Sequence, residues 1–344
     1  MLRIGSKVAV VAAVAAAGLL AACSSGGGGS SSSSAAPAPT SSSAAPTSSA
    51  APQIKIGVSF YTERIPIYAV MKQGIEDAAA KAGVEIIYAD ANAEVETQTN
   101  QIANMVTNGV AAIICSPVDA TAMVPAYQAA RDAGVKMISA ANKVDDANED
   151  AFVGPDLVDY GKQTMDRMIA AMGGKGNIVL MTGPPQIAFV QLQKKGWEAS
   201  LAENPDVKVV NESVVEDLQT ATAVNVATSV LTANPDVQGI MSSTDNIGVG
   251  VVQALEGVGI DPTTVATAGW DAQPDAVALV KEGKYTLTLS YLAYQWGEIA
   301  FQTALDFANG KAPAGHYVPT PGLFIDKDNA GVLTQAQIDG KEPI

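Results

Sequence analysis

After its first twenty residues the chain has no apolar run long enough to cross a bilayer, so no further transmembrane helix is expected. Positive charge is scarce: 20 Lys and Arg stand against 35 Asp and Glu, a net of −15. That balance excludes nucleic acid as a partner, because phosphate binding needs Lys and Arg to displace counterions. It favours a soluble, unattached surface instead. There is one histidine, His316, in a Pro- and Gly-rich stretch. Its isolation removes most His-based metal sites and any Ser-His-Asp triad. Gly173-Gly174-Lys175-Gly176 precedes a strand rather than opening a helix, so it reads as a turn and not a phosphate loop. Asp326–Gly331 has the outline of a calcium loop, but Ala330 stands where an oxygen ligand belongs and Gln337 where a bidentate Glu belongs. No metal and no cofactor is expected. No positioned base, nucleophile and orienting partner can be assembled, so no enzyme is expected either.

What is present begins with an export signal. Arg3 and Lys7 precede the uncharged run Val8–Leu20, which has the charged and apolar regions of a signal peptide. Leu20-Ala21-Ala22-Cys23 resembles the lipobox of bacterial lipoproteins. That resemblance implies that residues 1–22 are removed, that Cys23 is lipidated, and that the protein hangs from the outer face of the cell membrane. Ser24–Pro52 is uncharged Ser, Gly, Ala, Pro and Thr, with little to bury, and reads as a flexible tether. With Cys23 lipidated, only Cys115 is left; it reads as a buried free thiol at the end of an apolar run.

From Ile54 onward, short apolar runs alternate with helical periodicity. Strands are expected at Ile54–Ser59, Val84–Tyr88, Ala111–Cys115, Lys136–Ser139, Asn177–Met181, Val207–Val214, Gly239–Ser242, Val265–Ala268 and Leu287–Ser290. Helices are expected between and after them at Tyr68–Ala82, Val95–Asn108, Thr121–Ala133, Leu157–Met172, Phe189–Glu203, Thr220–Ala233, Ile247–Glu256, Gln273–Lys281 and Tyr294–Asn309. Glycines close many of them, at Gly83, Gly109, Gly134, Gly173, Gly257 and Gly310. The fold class is therefore α/β, with doubly wound parallel sheets and right-handed crossovers. The polar, acidic stretch Asn142–Asp150 interrupts the array after four strand-helix units and reads as the first passage between two lobes. Ligands in such folds sit at the carboxyl ends of strands, so two facing sheet edges would make a cleft.

Four short blocks, in order, resemble ribose-type periplasmic sugar-binding proteins. They are Ile56-Gly57-Val58-Ser59 with Pro66 and Lys72-Gln73-Gly74; Asn108–Ile114 with Ser116-Pro117; Asn234-Pro235-Asp236-Val237-Gln238; and Ala268-Gly269-Trp270-Asp271 with Pro274-Asp275. The resemblance covers nearly all of Ile54–Ile325. It implies a type I periplasmic binding protein fold: two parallel-sheet lobes joined by three hinge crossings, residues 53–155 plus 292–322 in one lobe and 156–291 plus 323–344 in the other. It also implies a monomer that delivers a monosaccharide or polyol to an ABC permease.

The same resemblance implies a pocket. Asp271 matches an aspartate that accepts hydrogen bonds from sugar hydroxyls, a charge-assisted interaction; alternatively it caps the helix starting near Gln273. Ser59 matches the first-strand serine, and Phe60 and Tyr61 follow it at the strand end. Tyr68 keeps a ring where the family has two aromatics after proline, and it is a candidate for either core or pocket. Tyr291 falls where the family often has Gln, and Trp270 adjoins Asp271. The departures from the family are Ala141-Asn142 in place of Asp-Arg, Gln191 at the arginine position ahead of Gly196-Trp197, Thr244 in place of Asn, and Leu218 in place of an aromatic. Two arginine donors are thus missing, while Asn142 and Gln191 each offer a donor and an acceptor. The loop Tyr61–Ile65 is longer than the ribose pattern and would bring Arg64 or Glu63 over the pocket. If Arg64 paired with a carboxylate and Asp271 with an ammonium, an amino-acid-like ligand would fit. A sensory receptor for a sugar-like signal is a further alternative.

Overall fold

The computed structural model describes residues 53–344 apart from 146, 147 and 186; the signal segment, Cys23 and the tether lie outside the described residues. Two six-stranded sheets carry the chain. The first is ordered β11-β5-β4-β3-β1-β2 and the second β12-β10-β9-β8-β6-β7. In the first sheet β1 is Lys55–Phe60, β2 Glu85–Asp90, β3 Ala112–Cys115, β4 Lys136–Ala140, β5 Ala151–Gly154 and β11 Tyr317–Pro319. In the second, β6 is Gly176–Thr182, β7 Val207–Val214, β8 Gly239–Ser242, β9 Ala266–Trp270, β10 Leu287–Ser290 and β12 Leu323–Asp326. Every strand pair is parallel except β10 with β12. Strand order reverses beside β1 in one sheet and beside β6 in the other, and a doubly wound fold opens a crevice at such points.

Helices cover both faces of each sheet, which explains why central strands such as β3 (Ala-Ile-Ile-Cys) are buried throughout. On the first sheet, α1 (Pro66–Ala82) and α9 (Ala293–Ala308) pack Met71, Ile75, Trp296 and Phe301 onto one face. Helices α2 (Val95–Thr107) and α3 (Val124–Asp132) pack Ile102, Met105 and Tyr127 onto the other. On the second sheet, α4 (Leu157–Ala171) and α5 (Ala188–Glu203) bring Met165, Met168 and Trp197 to one side. Helices α6 (Thr220–Ala233) and α7 (Asp245–Gly257) bring Leu231, Ile247, Val251 and Leu255 to the other. The shorter α8 (Pro274–Lys281) and α10 (Gln335–Asp339) close the edge near β12. Cys115 is fully buried at the end of β3, and burial pushes its thiol up to about 12, so it is not a reactive thiolate.

The two-lobed α/β architecture expected from the sequence is present, with differences in detail. Asn142–Asp150 is not a passage between sheets. It leads into β5, which pairs with β4 in the same sheet. Its acidic residues are used locally: Asp150 accepts from Met137 N at 2.9 Å and from Lys136 Nζ at 3.0 Å, and the buried Glu149 bonds to His316 at 2.9 Å. The chain passes between sheets after β5, after β10 and after β11. All three passages leave the carboxyl ends of strands, so the carboxyl edges of the sheets are turned towards each other. Strands β5, β11 and β12 and helix α10 were not foreseen. Gly257 lies within α7; Gly259, at φ 80°, makes the left-handed turn after it.

The passages are tied to one another. Gly154 O accepts from the Tyr317 hydroxyl at 3.0 Å and from Thr320 N at 3.0 Å, linking the first to the third. Trp296 Nε1 donates to Val153 O at 2.9 Å, linking α9 to β5. Ser290 Oγ donates to Ile338 O at 2.6 Å and accepts from Leu292 N, so α10 braces the second passage.

Candidate functional site

Backbone strain gathers at the facing edges. Among the non-glycine residues with positive φ are Asn92 and Ala93 after β2, Ala141 after β4, Leu218 after β7, Asp271 and Ala272 after β9, and Leu292 after β10. Left-handed backbone at an ordinary residue costs roughly 1–3 kcal/mol and persists only where surroundings impose it, which is common at ligand sites. Asp271, at φ 105°, is the largest departure among these residues.

Asp271 follows Trp270, the last residue of β9, and its N–H donates to Leu289 O at 2.8 Å. Its carboxylate is partly exposed and has no hydrogen-bond partner among the described residues. It is nonetheless closely enclosed: burial, with the nearby Asp245 carboxylate adding to it, holds the carboxyl well above the usual range. Trp270 is fully buried, its Nε1 lacks a partner, and its ring lies 6.1 Å from that of Tyr291. Tyr291 stands on the second passage and lies 6.0 Å from Trp296 of α9. An aromatic series thus runs from the second lobe, across the passage, into the first. The Tyr291 hydroxyl lies beside Gln193, and burial pushes it up, with the Asp271 charge acting the same way.

The other expected residues are placed variously. Ser59 is buried and donates to Gln101 Oε1 at 2.9 Å. Phe60 and Tyr68 belong to the first-lobe core, rings 5.2 Å apart, with the Tyr68 hydroxyl 2.8 Å from Ser116 Oγ. Tyr61 packs partly against that core. Arg64, on the loop after β1, is exposed and bonded to Asn92 Oδ1. Asn142 is exposed at the end of β4 and reaches Pro117 O at 3.4 Å, joining two strand ends of the first lobe. Thr244 caps α7, its hydroxyl accepting from Ile247 N at 3.4 Å. Capping of α8 by Asp271 is not seen: Gln273 N is bound at 2.9 Å by Asp245.

Gln191 lies in the first turn of α5. It is exposed, its amide donating to Pro185 O at 2.7 Å. Gln193 takes the inward position instead. It is fully buried, donates to Ser243 O at 3.2 Å, and its Oε1 lacks a partner. The signal for this was in the sequence: Val190, Gln193, Gly196, Trp197 and Ser200 share one helical face, and Gln191 is off it. Trp270, Asp271, Tyr291 and Gln193 are therefore the groups the fold brings together: an open carboxylate, an amide oxygen, an indole N–H and aromatic surface. Such a set binds an uncharged, hydroxyl-rich molecule, with donors meeting acceptors and ring faces meeting C–H surfaces.

Comparison with known proteins places this geometry. A family model described as periplasmic binding protein domain matches residues 56–312. The xylitol-binding protein of Mycolicibacterium smegmatis is 28% identical over 285 residues, which span 82% of this chain and 79% of that protein. The ribose import binding protein of Bacillus subtilis is 24% identical over 75% of this chain and 83% of its own length. An ABC transporter solute-binding protein of Actinobacillus succinogenes, solved with bound D-allose, is similar at TM-score 0.74 and 29% identity, covering 81% of this chain and 99% of that one.

Proposed function

Because the chain belongs to the periplasmic binding protein domain family, we propose that it is the solute-binding component of an ABC importer, taking a monosaccharide or polyol into the cleft between its two lobes. The family is made up of solute-binding proteins, and this chain acts outside the cytoplasm as they do. Its lobes are residues 53–155 with 292–322 and residues 156–291 with 323–344. Asp271 carries the reading: a carboxylate at a sheet's carboxyl edge that no described protein donor satisfies, flanked by Trp270, Tyr291 and Gln193. Hydroxyls of the cargo supply the missing donors, while the fully buried Gln193 and Trp270 back the wall formed by Asp271 and Tyr291. Asn142 and Thr244 stand at strand ends around the same cleft and contribute to its polar rim, while the buried Ser59 braces the end of β1 through Gln101. An epimer that misplaces one hydroxyl leaves a buried partner unpaired, at a cost of about 1–3 kcal/mol. The amino-acid-like alternative would need Arg64 to exchange its bond to Asn92 for a cargo carboxylate.

Cargo binds the open form and stabilises the closed one by its differential affinity for the two. The closed form docks on the permease. A lipid on Cys23 and the tether keep the domain near that permease. The test of function is titration calorimetry of the purified protein with xylitol, D-ribose, D-allose and a panel of amino acids. Binding of a polyol or sugar alone is the expected result; binding of amino acids alone would overturn the reading.

A further inference from the structure

A second carboxylate lies beneath the Trp270–Asp271 corner. Asp245, the first residue of α7, is completely buried. Its Oδ2 accepts from Gln273 N at 2.9 Å and from Thr288 Oγ1 at 2.8 Å, and its Oδ1 accepts from the Tyr285 hydroxyl at 3.3 Å. Thr288 in turn accepts from Ala272 N at 3.1 Å. The N–H groups of both residues after Asp271 are therefore held by one buried carboxylate, directly at Gln273 and through Thr288 at Ala272.

These bonds act on the backbone that most needs them. Asp271 has φ 105° and Ala272 φ 51°, two left-handed residues in succession. The packing leaves Asp245 no freedom to move. A Cβ on Gly269 would sit 2.1 Å from the Tyr285 hydroxyl and 2.7 Å from Asp245 Oδ1, and one on Gly248 would sit 1.9 Å from the same hydroxyl. Tyr285 is slotted between two glycines so that it can reach the carboxylate. That arrangement also uses up the local protein donors. Gln273 N, Thr288 and Tyr285 all donate to Asp245, and Asp271 receives no donor among the described residues.

We infer that Asp245 is the positioning residue of the cleft: it holds the Asp271–Ala272 turn in its left-handed form and absorbs the protein's own donors, so that the Asp271 carboxylate is reserved for hydroxyl groups of the cargo. The inference rests on the sugar or polyol reading of the cleft for its functional consequence, but its structural half stands apart from the cargo.

The test uses Asp245→Asn and Thr288→Val in the purified full-length protein, with two readouts. The first needs no ligand. Backbone NMR shifts of Asp271 and Ala272 report φ; the left-handed signature is expected to be lost or averaged in both variants while the remaining spectrum stays folded. Retention of that signature in both would overturn the inference. The second readout is the dissociation constant for whichever of xylitol, D-ribose and D-allose binds the wild type. Asp245→Asn is expected to weaken it on the order of tenfold to a hundredfold, with little further loss when combined with Asp271→Asn, because coupled residues are non-additive. An equal loss in both backgrounds, or a lowered melting temperature with unchanged affinity, would make Asp245 merely structural. If none of the three compounds binds the wild type, the sugar or polyol reading fails, while the NMR readout still decides the positioning role. Should Asp245→Asn fail to fold, Thr288→Val, which removes the link to Ala272 and one donor to Asp245 but leaves the Asp245 bonds to Gln273 N and Tyr285, carries both readouts.

Discussion

At the scale of single residues, the chemistry is a division of labour between two carboxylates. Asp245 is satisfied by protein donors, and Asp271 has none among the described residues. Replacing Asp271 with Ala should remove one or two charge-assisted hydrogen bonds, each about 1.5–3 kcal/mol, and weaken cargo binding at least tenfold in a calorimetric titration. The unliganded protein should unfold at the same temperature or higher, since an enclosed carboxylate has been deleted. Acidity matters as well. Burial pushes Asp245 up to about 7, despite hydrogen bonds from Thr288, Gln273 and Tyr285 that lower it, and Asp271 is raised too. A raised carboxyl holds its proton in the folded state after the unfolded chain has released its own near pH 4. This contribution to stability is therefore full below about pH 4 and is lost as the pH rises towards about 7. Denaturant melts across that range should show a flatter pH dependence for Asp245→Asn than for wild type. Affinity for a neutral cargo should run the other way, falling as acid protonates Asp271 and removes its acceptors. Asp271 was legible in the sequence through the Gly-Trp-Asp block. The inward position of Gln193 was readable from helical periodicity, which sets it on the buried face of α5 with Val190 and Trp197. Asp245 was not legible, because Gln273, Tyr285 and Thr288 reach it from 28 to 43 residues away.

At the scale of elements, close approach is purchased with glycine where backbone meets backbone. Helices α1 and α9 cross so tightly that a Cβ on Gly297 would sit 2.1 Å from Met71 O, and one on Gly74 would sit 2.1 Å from Tyr294 O. Neither carbonyl can swing away as a side chain would. Gly297→Ala should therefore push the helices apart and cost about 1–3 kcal/mol, read as a fall of several degrees in a thermal melt. Gly257→Ala, where a Cβ would meet nothing within 4 Å, serves as the control and should leave the melt nearly unchanged. Central strands and long helices were legible because their apolar periods are sustained. Strands β5, β11 and β12, which lie at or next to an edge of their sheets, were not. Tyr317-Val318-Pro319 even ends in proline and becomes a strand only because β5 lies alongside to pair with it.

At the scale of the whole molecule, capture is a mass-action event on a hinged body. A cargo present at a hundred times its dissociation constant stabilises the native state by about 2.7 kcal/mol, so a thermal-shift screen should register it as a rise of several degrees. The proposed lipid anchor would be a separate property: if Cys23 carries it, Cys23→Ala should release the protein from the membrane fraction into the soluble fraction, without altering affinity for cargo. Local composition and periodicity were enough to determine an α/β chain with two lobes and an acidic net charge, because these depend on residues close together along the chain. Which side chains converge was decided only by tertiary structure. Trp270, Tyr291 and Trp296 align because β9, the second passage and α9 meet at one edge. The Asp271 turn is left-handed because a carboxylate on another helix holds it there. Contacts between distant segments follow from packing in three dimensions, and no local pattern encodes them.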